Sequence, residues 1–262
     1  MEEMPKVSIV AAYYNRKDLL ENTIRSIVSS QHYKEAELVV VDDGSDPHHR
    51  LEDLVEESPL HMNLIRIEPE EKKYTNPCIP FNRGFKEARG EIVIIQNPEC
   101  FHVGDIIGEV LKEITDDNYL SFAAYSLGEE ETKGIATEKD IELFGEASRT
   151  GGGRGWYNHS IINPRPYHFL SAISRKNLEE LGGFDERYAE GIGFDDDELL
   201  HRIKQKGLDV KIVDFPFVLH QWHYGEDSFE MKSIVENEKF RFNYNLYHDM
   251  TSKSKEWKVN IA

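Results

Sequence analysis

Short apolar runs separated by segments of helical spacing constrain this chain more than any other feature. Val7–Ala12, Glu37–Val41, Asn63–Ile67 and Glu91–Ile95 are each too short for a helix and carry apolar residues at successive positions. A strand apolar on both sides must be covered on both sides, which is the condition inside a parallel sheet sandwiched by helices. Between the strands, Lys17–Ser30 places Leu19, Leu20, Ile24, Ile27 and Val28 along one helical stripe. His49–Glu57 is a weaker helical stretch, and Phe81–Arg89 reads as a helix that Gly90 ends. The resulting βαβα rhythm predicts an α/β fold with a mostly parallel central sheet and helices on both faces.

The second half is less regular. Tyr119–Ser126 and Val210–Leu219 read as strands, and Ser174–Leu181 and Asp195–Lys206 as helices. Leu127–Asn158 is polar and acidic and carries Gly151-Gly152-Gly153-Arg154-Gly155, which predicts a partly helical excursion closed by a hinged loop. Ser228–Met250 is amphipathic, with Phe229, Met231, Ile234, Phe240, Phe242 and Tyr244. It predicts a C-terminal helical tail over 228–262 that covers the domain of residues 1–227 or pairs two subunits as a homodimer.

Composition narrows the function classes. The net charge of −18, from 49 acidic and 31 basic residues without a basic patch, argues against nucleic-acid partners. An acidic chain can still hold an anionic ligand through a bridging divalent cation. Two cysteines without CxxC spacing read as reduced thiols, not a disulfide framework or zinc site. No apolar run approaches the ~20 residues that cross a bilayer, and Met1–Lys6 lacks the apolar core of a signal peptide. A cytoplasmic protein without a transmembrane segment is expected.

In an open α/β sheet, ligands bind beyond the carboxyl ends of the strands. Four polar clusters fall there: Tyr13-Tyr14-Asn15, Asp42-Asp43, Asn97-Pro98-Glu99 and His220-Gln221-Trp222-His223. Asp42 and Asp43 could accept hydrogen bonds from a nucleobase or ribose; Asp-Asp-Gly-Ser is equally a turn whose side chains cap the next helix. Glu99 suits a hard cation, and His220 or His223 could join it, although a lone Glu is usually a solvated carboxylate and a strand-end His usually a packed one. Asp195-Asp196-Asp197-Glu198 places four acids at a helix start, more than the helix dipole needs. Crowding raises the pKa of such groups and equips one to act as a base.

As an ordered set, these segments resemble the family-2 glycosyltransferases, whose GT-A fold is Rossmann-like. Val7–Arg16 resembles the family's opening strand and "YNR" turn, Leu38–Ser45 its "VVDDGS" segment, and Phe81-Asn82-Arg83-Gly84 with Ala88-Arg89-Gly90-Glu91 the approach to its metal motif. Counted from Gly90, the family's D-x-D falls on Asn97-Pro98-Glu99, a departure in which an amide replaces the first acid and a glutamate the second. Leu181–Glu186 followed by Gly193–Arg202 resembles the "GGFDE…ED" region of galactosyltransferases and polypeptide N-acetylgalactosaminyltransferases.

The resemblance implies a nucleotide-binding half over about 1–100 and an acceptor-binding half over about 101–227. On the donor side it implicates Ala12, Tyr14, Asn15, Asp42, Asp43, Asn82, Arg83 and Asn97. Glu99 and His220 would hold Mn²⁺ or Mg²⁺, with His223 in reserve for His220. Asp196 would be the general base of an inverting transfer, with Asp195 beside the acceptor. Apart from the resemblance, Trp156 and Tyr157, which follow the glycine run, could face the acceptor with an aromatic plane against a sugar ring, or equally form a core pair. The implied partners are a nucleotide-sugar donor, UDP-linked by default with GDP open, and a glycan or other hydroxyl acceptor. Two other readings stay open. One is a degenerate transferase that only binds nucleotide or glycan; the other is a sugar-phosphate nucleotidyltransferase, against which Val10–Lys17 lacks the glycines of a phosphate loop.

Overall fold

A computed structural model describes residues 4–135, 155–223 and 237–253. Four parallel strands form one side of a nine-stranded sheet: β1 (Val7–Tyr13), β2 (Ala36–Asp43), β3 (His61–Ile67) and β4 (Ile92–Gln96), in the order β3-β2-β1-β4. The other strands in chain order are β5 (Cys100–Val103), β6 (Asn118–Ser126), β7 (Gly155–Asn158), β8 (Leu170–Ser174) and β9 (Asp209–His220). The sheet continues from β4 through β8, β6 and β9 to β5, with β7 paired to β6. β8 runs antiparallel to both β4 and β6, whereas β6 and β9 are parallel.

Eight α-helices lie among the described residues: α1 (Lys17–Val28), α2 (Glu52–Glu57), α3 (Cys78–Glu87), α4 (Ile106–Glu113), α5 (Glu129–Gly134), α6 (Arg175–Leu181), α7 (Asp195–Lys206) and α8 (Glu238–Lys253). The period-2 alternation of a strand sorts the core into two layers. Ile9, Leu38, Val40 and Ile94 pack with Leu20, Ile24 and Ile27 of α1 and with Ile106, Ile107 and Val110 of α4. Val10, Val39, Val93 and Ile95 face the other way, toward Phe81 of α3, Leu178 and Leu181 of α6, and Leu199, Leu200 and Ile203 of α7. Helices thus cover both faces, as the doubly apolar strands require. Close approach of α3 depends on Gly84, where a Cβ would sit 2.4 Å from the Val10 side chain.

Several elements depart from the expectation set by the sequence. β5, β7 and β8 are too short to announce themselves by a period; α4, with Ile106, Ile107 and Val110 on one helical stripe, is also not among the expected elements; and the helix expected over His49–Glu57 divides into a single 3-10 turn, Pro47–His49, and α2. The break falls at Arg50, whose extended backbone (ψ 150°) cannot continue a helix. α3 starts earlier than Phe81, its first turn accommodating Pro80 because the first helical N–H groups have no intrahelical acceptor. The Gly151–Arg154 run, and Phe229, Met231 and Ile234 of the expected tail, lie outside the described residues.

The described part of the tail, α8, docks on the fold. Asn243 donates to the carbonyls of Tyr188 and Gly193, the Ile192 amide to the Lys239 carbonyl, and Phe240, Tyr244 and Tyr247 surround the Phe194 ring at 5.3–5.7 Å. No described helix is long and apolar enough to cross a membrane.

Two buried polar braces fix the elements that carry the rim of the sheet. Gln221, fully buried after β9, donates to the carbonyls of Leu19 and Glu99 and accepts from Asn22, tying α1 to the loop after β4. Arg202 of α7 pairs with Glu198 and donates to the carbonyls of Leu181 and Gly183, all within the core. Breaking such a pair strands a buried charge, so Arg202→Leu should lower stability by about 3–5 kcal/mol in urea unfolding. A loss below about 1 kcal/mol would show that the pair is not a determinant of α7 placement.

Candidate active site

The carboxyl ends of β1, β4 and β9 converge on Glu99. Its carboxylate is 2% exposed, with Oε2 2.8 Å from Arg16 Nη1 and Oε1 3.1 Å from His220 Nε2 and 3.6 Å from His223 Nε2. Cys100 and His220 are opposite one another in the β5–β9 pairing, so the ladder itself brings Glu99 and His220 together. Burial disfavours the Glu99 anion, but Arg16, then His220 and His223, outweigh it and hold the carboxyl well below its ordinary range. Glu99, His220 and His223 each offer one ligand atom within 4.8 Å of the others. One carboxylate oxygen and two imidazole nitrogens fit a borderline transition ion such as Mn²⁺ better than the harder Mg²⁺.

The acidic run at the start of α7 divides among different partners, although Asp195 and Asp196 both approach His168. Successive helical residues point about 100° apart, so Asp197 and Glu198 turn elsewhere. Asp195 accepts from Asn76 Nδ2 at 2.7 Å; Asp196 meets His168 Nδ1 and accepts from the His168 backbone N–H at 2.9 Å; Asp197 accepts from Tyr167 OH at 3.0 Å; and Glu198 pairs with Arg202. Burial, with Asp196 second, pushes the Asp195 carboxyl up; burial also raises Asp197 and Glu198. Phe194, immediately before the run, has φ 67°, a left-handed conformation costing a bulky residue about 1–3 kcal/mol. The rings of α8 around Phe194 hold it there and so help fix the direction in which α7 begins.

The two clusters flank one short segment. The Asn97 amide donates to the Phe169 carbonyl at 3.0 Å, placing residues 167–169 beside the loop after β4. The Phe169 ring lies 5.7 Å from His220, while His168, next along the chain, turns to Asp195 and Asp196. Tyr157 joins the first cluster, 5.2 Å from both Phe169 and His220. Trp156, on the opposite face of β7, packs on Tyr125 and Phe217 at 5.1 and 5.5 Å.

Other residues singled out in the sequence are spread along the β1–β3 side. Asn15 (φ 50°) exchanges hydrogen bonds with Asp46 and stitches the turn after β1 to that after β2. Ala12 is half-buried near the end of β1. Asp42 is fully buried and engaged at both oxygens, accepting from the Ser45 amide and Arg66. Asp43 meets Tyr74 OH at 2.6 Å and Lys72 Nζ at 2.9 Å, and Lys72 also lies 3.8 Å above the exposed Tyr14 ring. Asn82 spends its amide on the Phe184 backbone and Glu186, and Arg83 reaches Glu71 at 3.3 Å. Asn97 is half-buried and aligned by the Phe169 bond.

The sequence alone does not single out His168, Arg16, Tyr74, Lys72 or Asn76. His168 sits between proline-interrupted residues and the five apolar-to-small residues of β8, where no motif marks it. Recognising β8 would have placed it at the rim.

The profile of glycosyl transferase family 2 matches residues 8–182, and that of the N-terminal domain of galactosyltransferase matches residues 169–228. The dolichol-phosphate mannosyltransferase of Pyrococcus furiosus is 24% identical over 243 residues, covering 88% of this chain and 61% of that protein. The curated relatives it matches are longer, and the chain spans 35–65% of their length. Among solved structures, the mannosyltransferase PcManGT of Pyrobaculum calidifontis, in complex with GDP-Man and Mn²⁺, aligns with TM-score 0.64 at 18% identity, covering 97% of this chain and 66% of that one. S. aureus TarS 1-349 in complex with UDP-GlcNAc aligns with TM-score 0.68 at 15% identity, covering 97% and 68%. These likenesses identify the fold as GT-A. With its profile matched across more than half of the sequence, the chain belongs to glycosyl transferase family 2.

Proposed function

We propose that the chain transfers a hexosyl group from a nucleotide diphosphate sugar to an acceptor hydroxyl, inverting the anomeric carbon. The observation that carries this reading is the meeting of Glu99, His220 and His223 at one rim, beside an independently held Asp196. The donor's base and ribose would lie along Tyr14, Asn15 and Asp43, over Ala12, with Asp42, Asn82 and Arg83 supporting the surrounding turns and Asn97 bordering the diphosphate. A UDP-sugar is the first donor to test and GDP-mannose the second. The acceptor, a glycan or another hydroxyl compound, would approach Tyr157 and Asp195, with Trp156 bracing β7 from behind.

Glu99, His220 and His223 would hold Mn²⁺ or Mg²⁺, which when bound supplies positive charge against the diphosphate. Arg16 fixes one oxygen of Glu99 and leaves the other directed at the imidazoles. Asp196 accepts the proton of the acceptor hydroxyl. As it does so, the acceptor oxygen bonds to the anomeric carbon, and the carbon–oxygen bond to the diphosphate breaks with its electron pair. The Asp196 side chain keeps 31% of its surface, so an acceptor can reach it.

Asp196→Asn is expected to cut kcat by about 10²–10⁴-fold, the usual worth of a general base, while the nucleotide Kd stays within about threefold. Equal loss of nucleotide binding would assign Asp196 to the scaffold instead. Glu99→Gln and His220→Ala are each expected to weaken Mn²⁺ binding at least ~10-fold by titration calorimetry. Unchanged Mn²⁺ affinity in both variants would remove the metal from this site. Nucleotide binding without release of a nucleoside diphosphate from any donor would leave a binding module, and pyrophosphate release from UTP and a sugar phosphate would make the chain a nucleotidyltransferase.

A further inference from the structure

His168 is a buried titratable group for which the proposed transfer step has no use. It is 5% exposed, and its ring stands edge-on to Phe81 and Phe184, with centroids 5.6 and 4.8 Å away. Nδ1 meets Asp196 Oδ1, the backbone N–H of the same residue donates to that oxygen at 2.9 Å, and Nε2 lies 3.7 Å from Asp195 Oδ2. Asp195 is itself fixed on its other oxygen by Asn76. The imidazole therefore lies between two carboxylates and two aromatic rings, and its ring and backbone contacts to Asp196 converge on a single oxygen.

We propose that His168 is a positioning residue for Asp196: it pins Oδ1, and so turns Oδ2 toward the acceptor side of the site. The role rests on reading Asp196 as the proton acceptor. Two donors on one oxygen remove rotation about the terminal carboxyl torsion, which otherwise is broad. A cationic donor makes the stronger of the two bonds. The charged and titratable groups around the ring are Asp195 and Asp196 from α7, with Cys78 of α3 close to Asp195 and Tyr119 of β6 close to Asp196. Burial works against a proton on His168, but Asp196 and then Asp195 outweigh it, and the ring titrates above its ordinary value. The two carboxylates thus favour a protonated ring, which can donate from Nδ1 to Asp196.

The experiment uses the whole chain, with ¹⁵N-labelled histidine, and needs no substrate. In a pH titration the ring nitrogens of His168 should keep their imidazolium shifts to a higher pH than an ordinary histidine, and Asp196→Asn should move that midpoint down. A midpoint at or below the ordinary histidine value in the wild type, or one untouched by Asp196→Asn, would overturn the proposal, whatever the turnover of the Asp196→Asn protein. In turnover of the donor that the wild type uses, His168→Asn should lower kcat roughly 10–100-fold with the donor KM unchanged. His168→Phe, which keeps a ring between Phe81 and Phe184, should lower it further. Combined with Asp196→Asn, neither should add to the loss. Losses that multiply would mean His168 acts apart from Asp196, and would contradict the proposal while leaving the base itself in place.

Discussion

One reversal of strand direction organises the site. β8 enters the sheet antiparallel between β4 and β6, so its beginning lies beside the end of β4 and not at the far edge. Residues 167–169 are thereby brought to the rim where the parallel strands end, locked by the bond from the Asn97 amide to the Phe169 carbonyl. In the turn that leads into β8, Phe169 faces His220 and His168 faces Asp196. A β8 parallel to its neighbours would start at the opposite edge, and the Glu99 and Asp196 clusters would have no common segment between them.

Both clusters are polar groups in a low-dielectric setting, where partners decide whether a charge is tolerated. Glu99 has Arg16 and two imidazoles and stays ionised; Asp195, with an amide and a neighbouring carboxylate, is pushed up. Two buried carboxyls at the two clusters thus follow opposite rules. Rigidity comes from outside the clusters. Gln221 ties the loop carrying Glu99 to α1, Arg202 seats α7 against the Gly182–Gly183 turn, and α8 holds Phe194 in its left-handed conformation.

The doubly apolar strands made the parallel half of the sheet legible in the sequence, because burial on both faces leaves a signal in composition alone. Asp195–Lys206 matched its helix at both ends, the acids marking one end and Gly207 (φ 85°) closing the other. β5 and β8 escaped because four or five residues do not establish a period, and β8 runs directly into α6, so its apolar residues merge with the helical stripe. The strand-end clusters around Glu99 and His220 could be anticipated because topology, not side-chain detail, brings them together. The partner of each carboxylate in the acidic run could not, since Asn76, His168, Tyr167 and Arg202 come from elements far apart in sequence. Trp156 and Tyr157 were indistinguishable until β7 fixed which of them faces His220.

The departure of Asn97-Pro98-Glu99 from a two-acid metal motif has a physical counterpart. With an amide in the first position, the negative charge offered to a cation comes from Glu99 alone, and Arg16 already takes up one of its oxygens. His223 brings a second imidazole nitrogen to the group that could hold a cation. The most direct test is anomalous diffraction at the manganese edge from crystals grown with Mn²⁺ and UDP. The expected peak lies ~2.0–2.3 Å from Glu99 Oε1, His220 Nε2 and His223 Nε2, with the diphosphate completing the shell. A manganese peak away from all three residues, with UDP bound elsewhere, would contradict the account.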